Sequence, residues 1–241
     1  MELSIIIPSR RERFLDRTIF DIKEKFKSDY EIIVILDGKD EKRIAGVRYI
    51  FNRKSKGMRR SINQGVEIAK GKYLLKLDAH CKVDDEMDIK LLKEHQENWV
   101  QIPTRKRLNA HKWKTIKDER PDVNYMCLNP DQFGIEQRGR NKNKEAGKKL
   151  LDDTEVFQGS CYLIKKDFFK KVGLLDDINF NSTGHEAAEI AYKVRYNGGR
   201  VIRNKKTWYA HARLGRFYVS DKTKSKKAIK SLYEGNTLLH G

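Results

Sequence analysis

The sequence has few cysteines and prolines and no long apolar segment. Its three cysteines, Cys81, Cys127 and Cys161, are scattered singly, and without a C-x-x-C pair they exclude a zinc knuckle or a dithiol redox site. No apolar run reaches the roughly 18 residues that span a bilayer. The first residues, MELSIIIP, lack the basic and apolar regions of a signal peptide. We therefore expect a soluble cytoplasmic protein with reduced thiols.

The chain also lacks internal repeats and any linker rich in proline or serine. Only four prolines occur in 241 residues. This length suits one large α/β domain with a substantial core. A single domain is the prediction.

Acidic residues are scarce relative to basic ones. Lys and Arg total 52 against 34 Asp and Glu, a formal net charge of +18, which exceeds what solubility requires. Such a surface attracts nucleic acid, an anionic membrane or an acidic glycan. Basic residues concentrate in residues 104–150 and 203–230, although a lysine-rich source proteome would also produce part of this excess.

Apolar runs of period two alternate with amphipathic stretches, which predicts βα units and a mainly parallel sheet flanked by helices. The predicted strands are Leu3 to Ile7, Glu31 to Leu36, Val47 to Phe51, Tyr73 to Leu77, Trp99 to Ile102, Arg200 to Arg203 and Thr207 to Ala210. The predicted helices are about Arg11 to Lys27, Gly57 to Ala69, Asp88 to Glu97, Lys166 to Val172 and His185 to Tyr196. Structure resumes after a basic insertion at Val156 to Ile164.

An acid and an imidazole follow the strand that ends at Leu77. Asp78 and His80 are two positions apart, so both side chains can lean to the same side of an extended chain and bind one divalent ion. Cys81, the next residue, is expected to point to the opposite face and be buried. The alternative is that Asp78 only caps a turn and His80 is an exposed loop residue.

The spacing around these residues resembles a known family. The pattern Asn63-x-Gly65-x-x-x-Ala69-x-Gly71, followed by Asp78-x-His80, is similar to the donor segment of family 2 nucleotide-sugar glycosyltransferases with the GT-A fold. The D-x-H variant with a following cysteine resembles the polypeptide N-acetylgalactosaminyltransferases. Further elements match in order: Ile5-Ile6-Ile7-Pro8, Asp37, Gly57, Arg60, Gly159-Ser160, Glu186-x-x-Glu189 and His211.

The resemblance implies a GT-A domain over residues 1–215, in which residues 104–150 form an acceptor-binding or lid insertion, and a basic extension at 216–241. It implies that the donor, a nucleoside-diphosphate sugar and most simply a UDP-sugar, is bound by Pro8, Ser9, Arg10, Asp37, Arg60 and Asp78. It also implies that Asp78, His80 and His211 hold Mn²⁺ or Mg²⁺. The imidazole ligands favour Mn²⁺, because Mg²⁺ prefers oxygen ligands alone. The alternative to donor binding by Asp37 is that it is only a turn residue. The alternative to metal binding by His211 is that it is a structural histidine.

The catalytic base is left open by the sequence. Inverting family members typically carry Glu-Asp before a helix, whereas this chain has Glu186-Ala187, and alanine cannot take a proton. Glu186, Glu189 or His185 is the candidate base, unless the enzyme is a retaining one without a conventional base. Both glutamates would also suit a solvated helix start, where acids interact favourably with the macrodipole.

The acceptor is predicted from charge and aromatic residues. Basic side chains pair with phosphates and aromatic rings stack on bases, a combination that suits nucleic acid. The best prediction is a hydroxymethylated pyrimidine in DNA, as in the family 2-like enzymes of some bacterial viruses. The alternatives are a cell-surface glycan, a teichoic-type polymer or a protein as acceptor, or a non-catalytic nucleic-acid-binding protein on this scaffold. The candidate acceptor-binding residues are Arg105, Lys106, Trp113, Gly159, Ser160, Trp208 and Arg213.

Overall fold

A computed structural model describes residues 1–116, 127–129, 134–136, 148–180, 185–213 and 222–233. Its strands are β1 (Leu3–Ser9), β2 (Tyr30–Asp37), β3 (Arg48–Asn52), β4 (Tyr73–Leu77), β5 (Cys81–Val83), β6 (Trp99–Asn109), β7 (Lys114–Thr115), β8 (Cys127–Asn129), β9 (Gly134–Glu136), β10 (Leu151–Asp153), β11 (Cys161–Lys165) and β12 (Arg200–Ala212). Its helices are α1 (Leu15–Lys25), α2 (Met58–Ile68), α3 (Met87–Glu94), α4 (Lys166–Lys171), α5 (Glu186–Tyr196) and α6 (Lys222–Tyr233). Among these helices, none is both long enough and apolar enough to cross a membrane.

One large sheet organises the molecule. Its strand order is β10-β12-β6-β11-β4-β1-β2-β3, with β5 beside β12 and β7 beside β6. The part formed by β4, β1, β2 and β3 is parallel, as the βα pattern predicts. Beyond it, β11 runs antiparallel to both β4 and β6, whereas β6 and β12 are parallel. The sheet is therefore parallel in its first half and mixed in its second.

Both faces of the sheet are covered, and alternation along the strands explains how. Successive side chains of β1 point to opposite faces, so Ile6 enters one apolar cluster while Ile5 and Ile7 enter the other. The Ile6 side also receives apolar side chains of α2, α4, α5 and α6. The Ile5 side receives those of α1 and α3. Burial on both faces is why β1 contains the consecutive apolar residues Ile5, Ile6 and Ile7.

Two glycines of the family-like pattern allow α2 and the following turn to approach β1 closely. A Cβ placed on Gly65 would lie 2.6 Å from Cγ2 of Ile6. A Cβ on Gly71 would lie 2.4 Å from the backbone nitrogen of Ser4. Any larger residue would therefore push these segments apart. The glycines fix the distance between the helix and the strand that ends at the candidate site.

The second half of the sheet extends further than the sequence indicates. The predicted strand Trp99 to Ile102 continues to Asn109, and the two predicted strands after residue 200 form the single strand β12. The two strands pair in parallel, with a register shift between Asn204 and Trp208. Residues 104–109 are thus sheet and not part of a lid, because β12 supplies backbone hydrogen bonds that a periodicity argument does not detect. Most of the predicted insertion and of the predicted C-terminal extension lies outside the described residues.

Candidate metal centre and donor site

The candidate site lies where β4 and the last part of β12 come together. Asp78 and His80 follow the carboxyl end of β4, and the chain continues directly into β5. In the antiparallel pair of β5 and β12, His211 is opposite Cys81, and the backbone nitrogen of Ala212 donates to the carbonyl of His80 at 3.2 Å. Sheet pairing therefore places His211 beside the Asp-x-His segment.

Three side chains converge at this point. Nε2 of His211 lies 3.0 Å from Nε2 of His80 and 3.1 Å from Oδ2 of Asp78. The potential ligand atoms of all three residues lie within 4.8 Å of one another, which allows one ion with bonds of about 2 Å to contact them together. Asp78, His80 and His211 thus lie close enough to share one ion, while their role as metal ligands stays a prediction. Cys81 is fully buried, as predicted, but its pairing opposite His211 places it on the face of that histidine.

The electrostatics favour the metal-binding protonation states of Asp78 and His211 at neutral pH, whereas the pKa of His80, although burial lowers it, is raised by the hydrogen bond with Glu12. Burial opposes ionisation of Asp78, but the Lys76 ammonium group and the hydrogen bond from His211 hold its pKa well below the usual range. Burial lowers the pKa of His211 to about 4. Near pH 7 the carboxyl group is therefore ionised and this imidazole is neutral. These are the protonation states in which the two groups bind a metal.

Three neighbours of the cluster were not identified from the sequence in this role. Oε2 of Glu12 lies 3.0 Å from Nδ1 of His80, and a guanidinium nitrogen of Arg105 lies 3.2 Å from Nδ1 of His211. The ammonium group of Lys76 contacts Oδ1 of Asp78. Strand alternation places Lys76 and Asp78 on the same side and could have identified the lysine, whereas the other two contacts join distant parts of the chain.

Asp37, a predicted donor-binding residue, is fully buried and holds the loop before α2. Its carboxylate accepts hydrogen bonds from Oγ of Ser55 at 2.6 Å and from the backbone nitrogens of Lys56 and Gly57 at 2.8 and 3.0 Å. Asn52 donates to it at 3.1 Å. These bonds give Asp37 a structural role in the loop before α2, while contact of Asp37 with a nucleoside stays a prediction.

The remaining donor candidates lie at the ends of β1 and α2. Pro8 and Ser9 are buried, and Oγ of Ser9 donates to Glu41 at 3.1 Å. Arg10 is partly exposed at the end of the strand. Arg60 is exposed and has Asp177 at 3.5 Å, so its side chain is accessible to a ligand.

Glu189, a candidate base, is completely buried in a network of ion pairs. Arg59 contacts one of its carboxylate oxygens, and the ammonium group of Lys193 lies 2.8 Å from the other. The backbone nitrogen of Asp176 also donates to it at 2.7 Å. With no exposed surface and both oxygens engaged, Glu189 links α5 to α2, and this position does not fit that of a base.

Glu186 and His185 lie at the amino end of α5 and are partly exposed. A Cβ added to Gly159 would lie 3.9 Å from Cβ of Glu186. The carbonyl oxygen of Gly159 in turn accepts a hydrogen bond from Lys76 at 2.6 Å. Glu186 therefore neighbours the segment that contacts the metal cluster. It is better placed than Glu189 to be the catalytic base.

The candidate acceptor-binding residues do not form one surface. In-register neighbours in a sheet share a face, so Arg105, opposite Tyr209, lies on the face of His211, whereas Lys106, opposite Ala210, lies on the other face. There Nζ of Lys106 lies 4.5 Å from the centre of the Trp208 ring. The one-residue alternation along β6 separates the two basic side chains, which a count of charges does not reveal.

Three other acceptor candidates are near or beside these strands. Ser160 supports the cluster: its carbonyl oxygen accepts from the backbone nitrogen of Asp78 at 2.9 Å, and its hydroxyl lies 2.7 Å from that of Tyr209. Trp113 packs against Phe14. Arg213 is exposed just after β12.

Comparisons with known proteins agree with this architecture. A model of glycosyl transferase family 2 matches residues 4–173. A crystal structure of GalNAc-T7 with UDP, GalNAc and Mn²⁺ superposes with a TM-score of 0.81 at 19% sequence identity, and the match covers 95% of this chain and 47% of that chain. This chain thus spans about half the length of that relative, and no curated protein matches its sequence.

The structural match confirms the predicted GT-A fold, including its combination of parallel and antiparallel strands. The family match begins in β1 and ends just after α4. It therefore includes the Asp-x-His segment with β4 and β5 on either side of it, whereas β12 with His211 lies beyond the matched residues. Because this match extends over well more than half of the sequence, the chain belongs to glycosyl transferase family 2.

Proposed function

We propose that this protein is a metal-dependent glycosyltransferase that moves a sugar from a nucleoside-diphosphate sugar, most simply a UDP-sugar, to an acceptor hydroxyl. The observation that carries the proposal is the convergence of Asp78, His80 and His211 within 4.8 Å in a family 2 chain. The presence of UDP, GalNAc and Mn²⁺ in the GalNAc-T7 structure supports the choice of donor and metal.

The residues that would hold the cation are the carboxylate of Asp78 and the two imidazoles. This donor set fits Mn²⁺ better than Mg²⁺, which prefers oxygen ligands. A divalent cation bound there supplies positive charge for the departing nucleoside diphosphate, whose negative charge grows in the transition state. Lys76, buried beside Asp78, keeps the carboxyl group ionised for this task.

Deprotonation of the acceptor is assigned to Glu186. Its position next to Gly159 supports this role, whereas Glu189 is engaged by Arg59 and Lys193. A carboxylate within hydrogen-bond reach of the acceptor hydroxyl can take its proton as the glycosidic bond forms. His185, which immediately precedes α5, is the second candidate.

For the acceptor we propose a hydroxymethylated pyrimidine in DNA. The net charge of +18 and the position of Arg105 on the face of the metal cluster support a polyanionic acceptor. The target base would have to leave the stack to reach the site. A cell-surface glycan, a teichoic-type polymer or a protein is the alternative, and an acidic polymer would use the same basic surface.

A binding assay separates these enzymatic functions from a non-catalytic nucleic-acid-binding protein. UDP plus Mn²⁺ at 100 times the dissociation constant is expected to stabilise the protein by about 2.7 kcal/mol, measured as a thermal shift. Asp78→Asn is expected to remove the Mn²⁺-dependent part of the shift. The absence of any shift in the unaltered protein would contradict the proposed function.

A transfer assay then identifies the acceptor. Release of UDP is measured with several UDP-sugars and with hydroxymethylated duplex DNA, unmodified DNA, teichoic acid and peptide acceptors. Mass spectrometry of the hydroxymethylated DNA is expected to detect an added sugar, and DNA affinity is expected to fall steeply with salt. Transfer to another acceptor alone would contradict the DNA assignment while leaving the glycosyltransferase assignment intact.

A further inference from the structure

We propose that Glu12 and Arg105 are positioning residues that set the cation affinity of the site in opposite directions. Glu12 contacts the outer nitrogen of His80 and strengthens cation binding, whereas Arg105 contacts the outer nitrogen of His211 and weakens it. This inference rests on the cation site of the proposed function. It concerns two side chains that do not themselves reach the ligand position.

Glu12 holds the proton of His80 on Nδ1, the ring nitrogen that faces away from the cation position. Its Oε2 lies 3.0 Å from Nδ1 of His80, and the two side chains are only 11% and 14% exposed. An ionised carboxylate only accepts hydrogen bonds, so the ring places its proton on Nδ1. The lone pair of Nε2 then faces His211 and Asp78. A carboxylate behind a metal-binding histidine orients the ring and raises its basicity.

Arg105 has the opposite effect on His211. A guanidinium group only donates, so Nδ1 of His211, 3.2 Å away, must present its lone pair to Arg105. A neutral ring then carries its proton on Nε2, which lies 3.1 Å from Oδ2 of Asp78. That proton occupies the direction in which Nε2 would bind a cation.

Cation binding therefore requires His211 to carry its proton on Nδ1 and Arg105 to leave. A protonated Nδ1 and a guanidinium group are both donors and repel each other, as the guanidinium charge repels the cation itself. Loss of this contact frees a long basic side chain on the face of the metal cluster. Arg105 is then available to pair with a phosphate group.

Isothermal titration of the full-length protein with MnCl₂ alone tests the two effects without any transfer reaction. Glu12→Leu is expected to weaken Mn²⁺ binding about 10- to 100-fold, the range found for outer-shell partners of metal ligands. Glu12→Gln keeps an acceptor oxygen and is expected to restore part of the affinity. Arg105→Met is expected to tighten binding about tenfold, because it removes the guanidinium charge that repels the cation.

Matched variants control for charge and folding. Lys106→Met removes one positive charge from the neighbouring position of β6, whose side chain points to the opposite face. Glu24→Leu removes one negative charge from an exposed position near the end of α1. Both are expected to bind Mn²⁺ with nearly unaltered affinity. Unfolding transitions measured with EDTA confirm that each variant is folded before the titration.

The outcomes separate this inference from the proposed function. If the unaltered protein binds Mn²⁺ but Glu12→Leu binds it equally well, or Arg105→Met binds it more weakly, the inference alone is overturned. If the unaltered protein does not bind Mn²⁺ at millimolar concentration, both the inference and the cation site of the proposed function are overturned.

Discussion

The ammonium group of Lys76 contacts Oδ1 of Asp78, and the lysine side chain is only 3% exposed. The same nitrogen lies 2.6 Å from the carbonyl oxygen of Gly159. Lys76 thus connects the carboxylate at the end of β4 to the segment that precedes β11. A buried ammonium group here neutralises the carboxylate while leaving Oδ2 directed towards His211.

Lys76→Met is expected to destabilise the metal-free protein. Removing one partner of a buried ion pair leaves an uncompensated charge and costs about 3 to 5 kcal/mol. A cation bound beside Asp78 would compensate the charge of its carboxylate in place of Lys76. Mn²⁺ is therefore expected to stabilise this variant more than the unaltered protein. Chemical unfolding with EDTA and with MnCl₂ measures both effects, and an equal Mn²⁺ increment in the two proteins would contradict the prediction.

Glu189→Gln is expected to destabilise the folded protein. The Glu189 carboxylate compensates the buried Arg59, which also stacks on the Phe180 ring with 4.0 Å to the ring centre, and Lys193. Loss of its charge is expected to lower the free energy of unfolding by about 3 to 5 kcal/mol, measured by urea unfolding. At a temperature where the variant remains folded, a loss of kcat as large as that of Glu186→Gln would contradict this structural role.

Glu186→Gln is expected to slow the transfer reaction. Because its carboxylate is only partly buried and is assigned as the base, the substitution is expected to lower kcat about 100-fold or more. The KM for the donor and the melting temperature are expected to change little. An unaltered kcat would transfer the role of base to His185 or indicate a retaining reaction, which analysis of the anomeric product by NMR would distinguish.

The buried side chain of His95 is expected to make the folded protein less stable in acid. Burial lowers its pKa from 6.5 to about 4, and among the described residues neither ring nitrogen has a hydrogen-bond partner. The unfolded chain binds a proton at higher pH than the folded protein, so this contribution is complete above pH 6.5 and declines as the pH falls towards 4. The expected decline is about 3 kcal/mol.

His95→Phe tests this pH dependence. Phenylalanine keeps the edge-to-face contact with Tyr73, whose ring centre lies 5.2 Å away, and cannot be protonated. The free energy of unfolding, measured by urea unfolding at several pH values between 7.5 and 4, is expected to fall less in the variant. Parallel curves for the two proteins would exclude His95 as the source.

Gly71→Ala is expected to disturb the contact between the turn after α2 and β1. The added methyl group would lie 2.4 Å from the backbone nitrogen of Ser4 and 2.5 Å from the carbonyl carbon of Leu3. Backbone atoms of a central strand cannot move aside easily, and overpacking of this kind costs about 1 to 3 kcal/mol or more. Gly198→Ala is the control for backbone strain, because a Cβ at Gly198 meets no atom within 4 Å while its φ is +71°.

A smaller effect of Gly71→Ala than of Gly198→Ala on the melting temperature would contradict the steric argument. The comparison distinguishes crowding from conformational strain, since Gly198 has a positive φ without neighbours. It also tests why the family-like pattern has glycine at position 71.

Local pattern was sufficient for the parallel half of the sheet and for the pair Asp78 and His80. Short apolar runs define β1, β2 and β4, and the position of the acid and the imidazole follows from period two along an extended chain. The resemblance to family 2 added His211. These features depend on neighbours in sequence or on an ordered set of motifs, and the structure agrees with them.

Long-range pairing decided the rest. The full length of β6 and β12 depends on hydrogen bonds between residues about 100 positions apart, which local periodicity does not encode. The same pairing brings Arg105 to His211, whereas other contacts between distant segments bring Glu12 to His80 and bury Glu189 beside Arg59. The sequence by itself determined which groups can bind a cation or take a proton. Tertiary packing decided which of these groups are free to do so, because contacts between distant segments set their burial and their charged partners.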